Sequence, residues 1–553
     1  MPDTDPAESQ FLLGRLALDR GAAGEALERI GQAVRLNDRE PKYLQTLAGV
    51  HFSLGQWPEA AASSRRALEL DPSSKNEWNK LGLACKEMGE LADAARCFER
   101  ALQLAPGSAA ALANAAAVRR ELGKVDESLA LFRRAREIVP DNVNVLGAYL
   151  FTLNLSTRPS REEIFREHLE YDRLLGGRQP QRERFRDHAA GGKLRIGYLS
   201  PDFRFHAVSF FMEPVLAHHD RDQFEITCYY AHPRHDGMSH RLRQLSDRWV
   251  DCAGQSATDI AQRIQADGID ILVDLAGHTA GSRIDVLAQQ PAPVLATWLG
   301  YLNTTGLKCV DYRITDRHTD PPGQTERFDT ETLLRLPDSQ WCRQKPEAVI
   351  EAGPLPAARD GAIRFGSFNQ PLKLSPEVLA LWALVLRRVP ASTLLFAGVE
   401  PDQRENIRLA VAAAGVDETR LEFVGRLSMA KFHELHHRVD IALDSYPYSG
   451  ATTTFDSLWM GVPVLSLTGQ APMSRSTASI LVTLGMDDWI APSEQEFVEL
   501  AARHAGDLAA LAALRAGLRH RLESSILMDG GRFTRQIEDL YRRMWQERGP
   551  AAR

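Results

Sequence analysis

Six consecutive residues, Ser449-Gly450-Ala451-Thr452-Thr453-Thr454, follow the run DIALDSYPY and lead into the helix-like text FDSLWM. A helix starting there would present unpaired backbone N–H groups and a partial positive charge, and the three hydroxyls add donors, so this loop has the chemistry to hold a diphosphate. Asp456 lies just behind it, able to accept from a ribose hydroxyl. A threonine that only caps its helix would give part of this pattern; three in a row exceed what a cap requires. A second run, IRFGSFN, ends in Asn369-Gln370-Pro371-Leu372-Lys373, where Lys373 can neutralise a leaving diphosphate. A lysine after a strand is also commonly just solvated. His206 follows KLRIGYLS on a post-strand turn and is a general base, a polar substrate contact or a hydrogen-bonded loop residue. His278, in LAGHTAG, occupies the same kind of place.

The elements that must position these residues are short apolar runs alternating with helical stretches. KLRIGYL, FEITCYY, IDILVDL, APVLATWLG and DYRITD form one set; IRFGSFN, STLLFAG, LEFVG, VDIALDS and VPVLSL form a second. This rhythm predicts two successive doubly wound α/β lobes, with a site in the cleft between them at the carboxyl ends of strands. A long amphipathic helix is expected near 533–545.

Ahead of them Gly21, Gly55, Gly89 and Gly123 recur every 34 residues, the period of tetratricopeptide helix-turn-helix repeats. Ala33, Ala67, Ala101 and Ala135 keep the same register, as do Ala26, Ala60, Ala94 and Ser128, and Pro72, Pro106 and Pro140. Glycine suits the inter-helix turn and proline the end of each repeat. Such repeats bury their apolar faces on one another and form a solenoid, which either carries a protein or peptide or serves a structural or dimerising role. The expected division is a solenoid over 1–155, a helical connector over 156–192, a first lobe over 193–355, and a second lobe with the terminal helix over 356–553.

Composition narrows the classes. With 44% apolar and 25% charged residues and a net charge of −7, the 553-residue chain is an ordinary globular protein of several domains, without the basic surplus of a nucleic-acid binder. The acidic start MPDTDPAESQ lacks the pattern of a secretory signal, and no stretch is long enough to span a bilayer, so a cytoplasmic location with no membrane partner is expected. Six scattered cysteines contain no C-x-x-C pair and read as reduced structural thiols. P-loop, nucleophile-elbow and H-E-x-x-H motifs are absent, and the D-x-D of Asp220-Arg221-Asp222 precedes its strand, so no metal is assigned.

Taken together, LRIGYLSPDFRFHAVSFFMEP, ILVDLAGHTAGSR, QPAPVLATWLGYLNTTG, VDYRITD, LLRLPDS, GSFNQPLK and LDSYPYSGATTTFDSLWMGVPVL resemble the O-linked N-acetylglucosamine transferase family, including its plant SPINDLY-type relatives. The resemblance covers essentially the whole chain. It implies a B-type glycosyltransferase fold with two Rossmann-like lobes, a UDP-sugar donor as substrate with no cofactor, metal-independent inversion, and protein Ser or Thr acceptors. Residue by residue it implies that His206 is the catalytic-region histidine. Gln370 and Lys373 would contact the diphosphate, with the loop 449–454, through Thr452 and Thr453 above all, and Asp456 would bind the ribose. Arg426 and Leu427 fall in the loop contacting the base, and His433 lies one residue from a base-stacking histidine. Tyr448 stands near the family's sugar pocket, and His278, from its place at a strand end, is a candidate for the sugar or acceptor pocket. The animal enzymes carry histidine at the position of Ala451 and cysteine at that of Tyr448, and YPYSGATTT is closer to the plant fucosyltransferase-type loop, whereas Gln370 in FNQ is closer to the N-acetylglucosamine enzymes. UDP-N-acetylglucosamine is therefore the first expected donor and GDP-fucose the second; a repeat-based binding protein with a poorly active nucleotide cleft is the alternative from another class.

Overall fold

The computed structural model describes residues 5–176, 192–346 and 350–548, and the chain divides into two compact units, Met1–Tyr149 and Leu150–Arg553. The first is a run of helix pairs: α1 (Pro6–Asp19) with α2 (Ala23–Leu36), α3 (Pro41–Ser53) with α4 (Trp57–Leu70), α5 (Lys75–Glu87) with α6 (Leu91–Leu104), and α7 (Ala109–Glu121) with α8 (Val125–Ile138). The four glycines spaced by 34 sit between the helices of each pair with φ of +74°, +70°, +82° and +78°, a conformation costing a side chain about 1–2 kcal/mol. Ala26, Ala60 and Ala94 are fully buried, and the serine that replaces them in the fourth pair, Ser128, satisfies its hydroxyl by donating to the Ala116 carbonyl at 2.7 Å. Close helix packing also explains Gly82, where a Cβ would meet the Phe98 ring at 2.7 Å.

The second unit holds two parallel sheets. Strands β1 (Leu194–Ser200), β2 (Phe224–Tyr230), β3 (Arg248–Asp251), β4 (Ile271–Asp274), β5 (Val294–Thr297), β6 (Tyr312–Asp316) and β7 (Thr332–Leu336) pair in the order β3-β2-β1-β4-β5-β6-β7. Strands β8 (Arg364–Ser367), β9 (Thr393–Ala397), β10 (Leu421–Val424), β11 (Ile441–Leu443), β12 (Val464–Leu467) and β13 (Ile490–Ala491) pair in the order β10-β9-β8-β11-β12-β13. In each sheet the chain builds outward from its first strand and then crosses to the other side, so the direction switches between β1 and β4 and between β8 and β11. Those two junctions are where an open parallel sheet offers a crevice to ligands.

Helix α9 (Val143–Leu153) runs into the second unit, and α10 (Arg161–Leu175) occupies the first part of the expected connector; residues 177–191 of that connector lie outside the described residues. Helix α10 is locked onto the first lobe. The Tyr301 hydroxyl donates to His168 Nε2 at 2.7 Å and accepts from Asn154 Nδ2 at 2.7 Å, while His168 Nδ1 donates to the Ile164 carbonyl. Burial pushes the His168 imidazole down to about 4, so it is the neutral acceptor this network requires. Gly306, at φ +76°, passes so close that a Cβ would lie 2.1 Å from the His168 carbonyl oxygen.

The long terminal helix spans Gly530–Arg548 and, unlike the assignment to the second lobe, packs back onto the first. Its Tyr541 hydroxyl is 2.9 Å from that of Tyr198 on β1, Glu538 accepts from His219 at 3.0 Å, and Phe533 stacks on Trp298. Among the described residues no helix is long and apolar enough to cross a membrane.

Candidate active site

The loop after β11 and the loop after β8 leave the second sheet side by side at its switch point. Asp444, the first residue past β11, is buried and organises both. Its Oδ1 accepts from the Gly450 N–H at 2.8 Å, the Ser445 N–H at 3.0 Å and Asn369 Nδ2 at 3.2 Å, and its Oδ2 accepts from Ser466 Oγ at 2.7 Å. Asn369 then accepts from Thr453 Oγ1 at 2.9 Å, tying the two loops together. Gly450 has no room for a side chain, since a Cβ would meet Thr453 Oγ1 at 2.7 Å and Thr454 Oγ1 at 2.9 Å.

The eight-residue helix Thr452–Trp459 starts here with no side-chain cap. Its first N–H groups are left for another acceptor. The half-buried Lys373 Nζ donates to the Ser449 carbonyl at 2.9 Å and lies 4.4 Å over the Tyr448 ring. Burial pushes the ammonium down to about 8, against the opposing pull of the Asp444 carboxylate. A poorly solvated cation beside a helix start is the arrangement that an anion could use.

Several expected contacts are engaged within the fold. Thr454 is buried and its hydroxyl pairs with Thr477 Oγ1 at 2.9 Å, so only Thr452 and Thr453 retain partial exposure. Ser449 donates from both N and Oγ to the Met473 carbonyl, at 2.9 and 2.8 Å. Asp456 is buried and paired: its Oδ1 takes Arg343 Nη1 at 2.6 Å and His433 Nε2 at 3.1 Å. Burial raises its carboxyl, but the Arg343 charge and the His433 hydrogen bond outweigh that and hold it below the ordinary carboxylate range. His433 is thus buried against Asp456, while its neighbour His436 stacks on Phe368 at 3.7 Å. Gln370, Arg426 and Leu427 are exposed; the Arg426 N–H donates to Glu400 Oε1 at 3.0 Å.

In the first lobe, His206 caps α11 (Ala207–His218). Its Nδ1 accepts the Val208 N–H at 3.3 Å, which leaves the proton of the neutral ring on Nε2. Burial lowers the imidazole below its ordinary value despite Asp202, whose Oδ2 is 3.7 Å away. In this state His206 offers a hydrogen-bond donor. Helix α11 reaches the second lobe: Phe211 meets Phe455 edge-on at 5.6 Å, so the His206-capped helix and the helix begun at Thr452 touch. His278 is placed differently from the expectation of an open pocket. It is buried among His168, Tyr171 and Tyr301, its Nε2 donates to the Thr305 carbonyl at 2.8 Å, and burial drives it down to about 3.

Asp444 and Arg343 escape sequence reasoning. Asp444 has a weak signal, being a carboxylate directly after a buried strand; Arg343, in QWCRQ, has none.

Helical repeats followed by two Rossmann-like lobes, with a cationic helix start at a switch point, define a B-type glycosyltransferase architecture. The chain matches the model of Glycosyl transferase family 41 over residues 169–345 and 348–537, and a tetratricopeptide repeat model over 11–75 and 79–143. It belongs to glycosyl transferase family 41. It is 35% identical over 407 residues to a Solanum lycopersicum protein named probable UDP-N-acetylglucosamine–peptide N-acetylglucosaminyltransferase SPINDLY, covering 72% of this chain and 44% of that one. It is 27% identical over 476 residues to the Caenorhabditis elegans UDP-N-acetylglucosamine–peptide N-acetylglucosaminyltransferase, covering 64% of this chain and 41% of the relative. The chain thus spans less than half the length of these curated relatives. A solved structure of a mutant O-GlcNAc transferase from Thermobaculum terrenum superposes with a TM-score of 0.87 at 34% identity, covering 93% of this chain and 98% of that one.

Proposed function

We propose that the protein is an inverting, metal-independent cytoplasmic glycosyltransferase that moves N-acetylglucosamine from UDP-N-acetylglucosamine to serine and threonine hydroxyls of proteins, with the repeat array guiding the acceptor. The observation that carries this reading is Lys373, whose ammonium lies 2.9 Å from the Ser449 carbonyl beside the uncapped helix start at Thr452. The names of the family relatives support the donor and the acceptor class.

In this reading the acceptor oxygen forms its bond to the sugar C1 as the C1–oxygen bond to the diphosphate breaks, its electron pair leaving with UDP. Lys373 and the first N–H groups of the helix stabilise the departing charge. The acceptor's proton passes to water, and His206 orients the incoming hydroxyl or the sugar through Nε2–H; the Val208 N–H already occupying Nδ1 supports that role over general base. Tyr448 under Lys373, with Ala451 in the loop, favours GDP-fucose as the second donor to consider. Calorimetric titration across UDP- and GDP-sugars, followed by mass spectrometry of peptides for added sugar, separates the two. Tight binding of GDP-fucose with no response to UDP-N-acetylglucosamine would replace the first donor by the second.

A further inference from the structure

Arg343 lies in the stretch joining the two lobes, yet its side chain is only 7% exposed. Its Nη1 is 2.6 Å from Asp456 Oδ1 and 3.4 Å from the Thr452 carbonyl, so it grips the first and second turns of the helix that opens the diphosphate loop. The guanidinium also lies 5.0 Å over the ring of Phe210, one turn along from His206 on α11. Its backbone is fixed in turn, the Arg343 N–H donating to the Leu527 carbonyl at 2.8 Å. One side chain thus touches the helix carrying the first lobe's candidate residue and the helix carrying the second lobe's.

Without Arg343, a buried carboxylate would stand one turn behind a loop meant for a doubly charged diphosphate, and the two would repel. With it, Asp456 is charge-balanced and held in one rotamer by Arg343 on one side and His433 on the other. A carboxylate without that pair could turn toward His433 or His436; only a fixed one presents a constant acceptor to a nucleotide hydroxyl.

We propose that Arg343 is a positioning residue of the donor site: it sets Asp456 and the helix begun at Thr452 for the nucleotide, and couples that helix to α11. The proposal rests on the reading of the site as a nucleotide-sugar site. The test compares Arg343→Met and Arg343→Lys with the unaltered chain for UDP affinity by calorimetry and for donor KM and kcat. Arg343→Met is expected to weaken UDP and raise donor KM by about 10- to 100-fold with acceptor KM unchanged, and Arg343→Lys to recover part of the loss. If Arg343→Met fails to fold, Arg343→Gln, which still hydrogen-bonds Asp456 but carries no charge, serves for the same measurement. UDP affinity unchanged in a folded Arg343→Met protein, while Lys373→Ala loses it, overturns the role of Arg343 and leaves the site standing. Failure of the unaltered chain to bind either UDP or GDP overturns both.

Discussion

The ammonium of Lys373 donates to the carbonyl of Ser449 at 2.9 Å, joining the loop after β8 to the loop after β11. Because those strands are neighbours across the switch point of the second sheet, residues 76 positions apart are brought together, and the proposed diphosphate site spans both loops. Lys373→Ala removes the ammonium that bridges the two loops, and Thr453→Val breaks the link to Asn369. Each is expected to weaken UDP binding by about 1–3 kcal/mol, measured by calorimetry. Equal affinity in both variants and the unaltered chain would remove the site from this position.

The pH dependence has a definite sign. Burial places the Lys373 ammonium at about 8, and a diphosphate binds best to the charged form. UDP affinity is therefore level between about pH 7 and 8 and falls as pH rises further, whereas Lys373→Arg keeps its charge and flattens the profile. A profile that is flat through pH 9 in the unaltered protein would contradict the assignment.

His206 divides two mechanisms. As a donor through Nε2, it is partly replaced by asparagine, which can cap α11 and donate; as a general base it is not. Turnover is expected to fall further in His206→Ala than in His206→Asn, with UDP affinity nearly unchanged in both. Equal losses of about 10²–10⁴-fold in kcat would restore the general base.

Fold stability offers an independent check. Gly306→Ala forces a side chain into a left-handed backbone 2.1 Å from the His168 carbonyl oxygen and must push α10 off the first lobe. A loss of about 2–4 kcal/mol is expected in denaturant unfolding. An unchanged midpoint would mean that α10 is not anchored there.

Much of this was legible in the sequence because the signals are local. The 34-residue period is dictated by a turn that needs positive φ, and ten of the thirteen strands are apolar runs. The three strands missed, β3, β7 and β13, lie at or next to sheet edges, and RWVD and the two-residue Ile490–Ala491 are too polar or too short to show as buried runs. The return of the terminal helix to the first lobe depends on partners more than 300 residues away, such as Tyr198 for Tyr541. The same holds for the candidate site. The threonine loop and Lys373 announce themselves by residue type, but the pairing of Asp456 with Arg343, 113 positions apart, and the burial of His278 and Thr454 are set by tertiary packing.

Sugar transfer from a nucleotide donor through the Lys373 site leaves its mark on the acceptor. Its most direct measurement is mass spectrometry of a serine- and threonine-containing peptide library incubated with UDP-N-acetylglucosamine and either the unaltered chain or Lys373→Ala. Peptides heavier by one N-acetylhexosamine, with a β linkage to the peptide read by NMR of the isolated product, are expected with the unaltered chain, and a large loss of product with Lys373→Ala. Product retaining the donor's anomeric configuration, or equal product from both proteins, would contradict it.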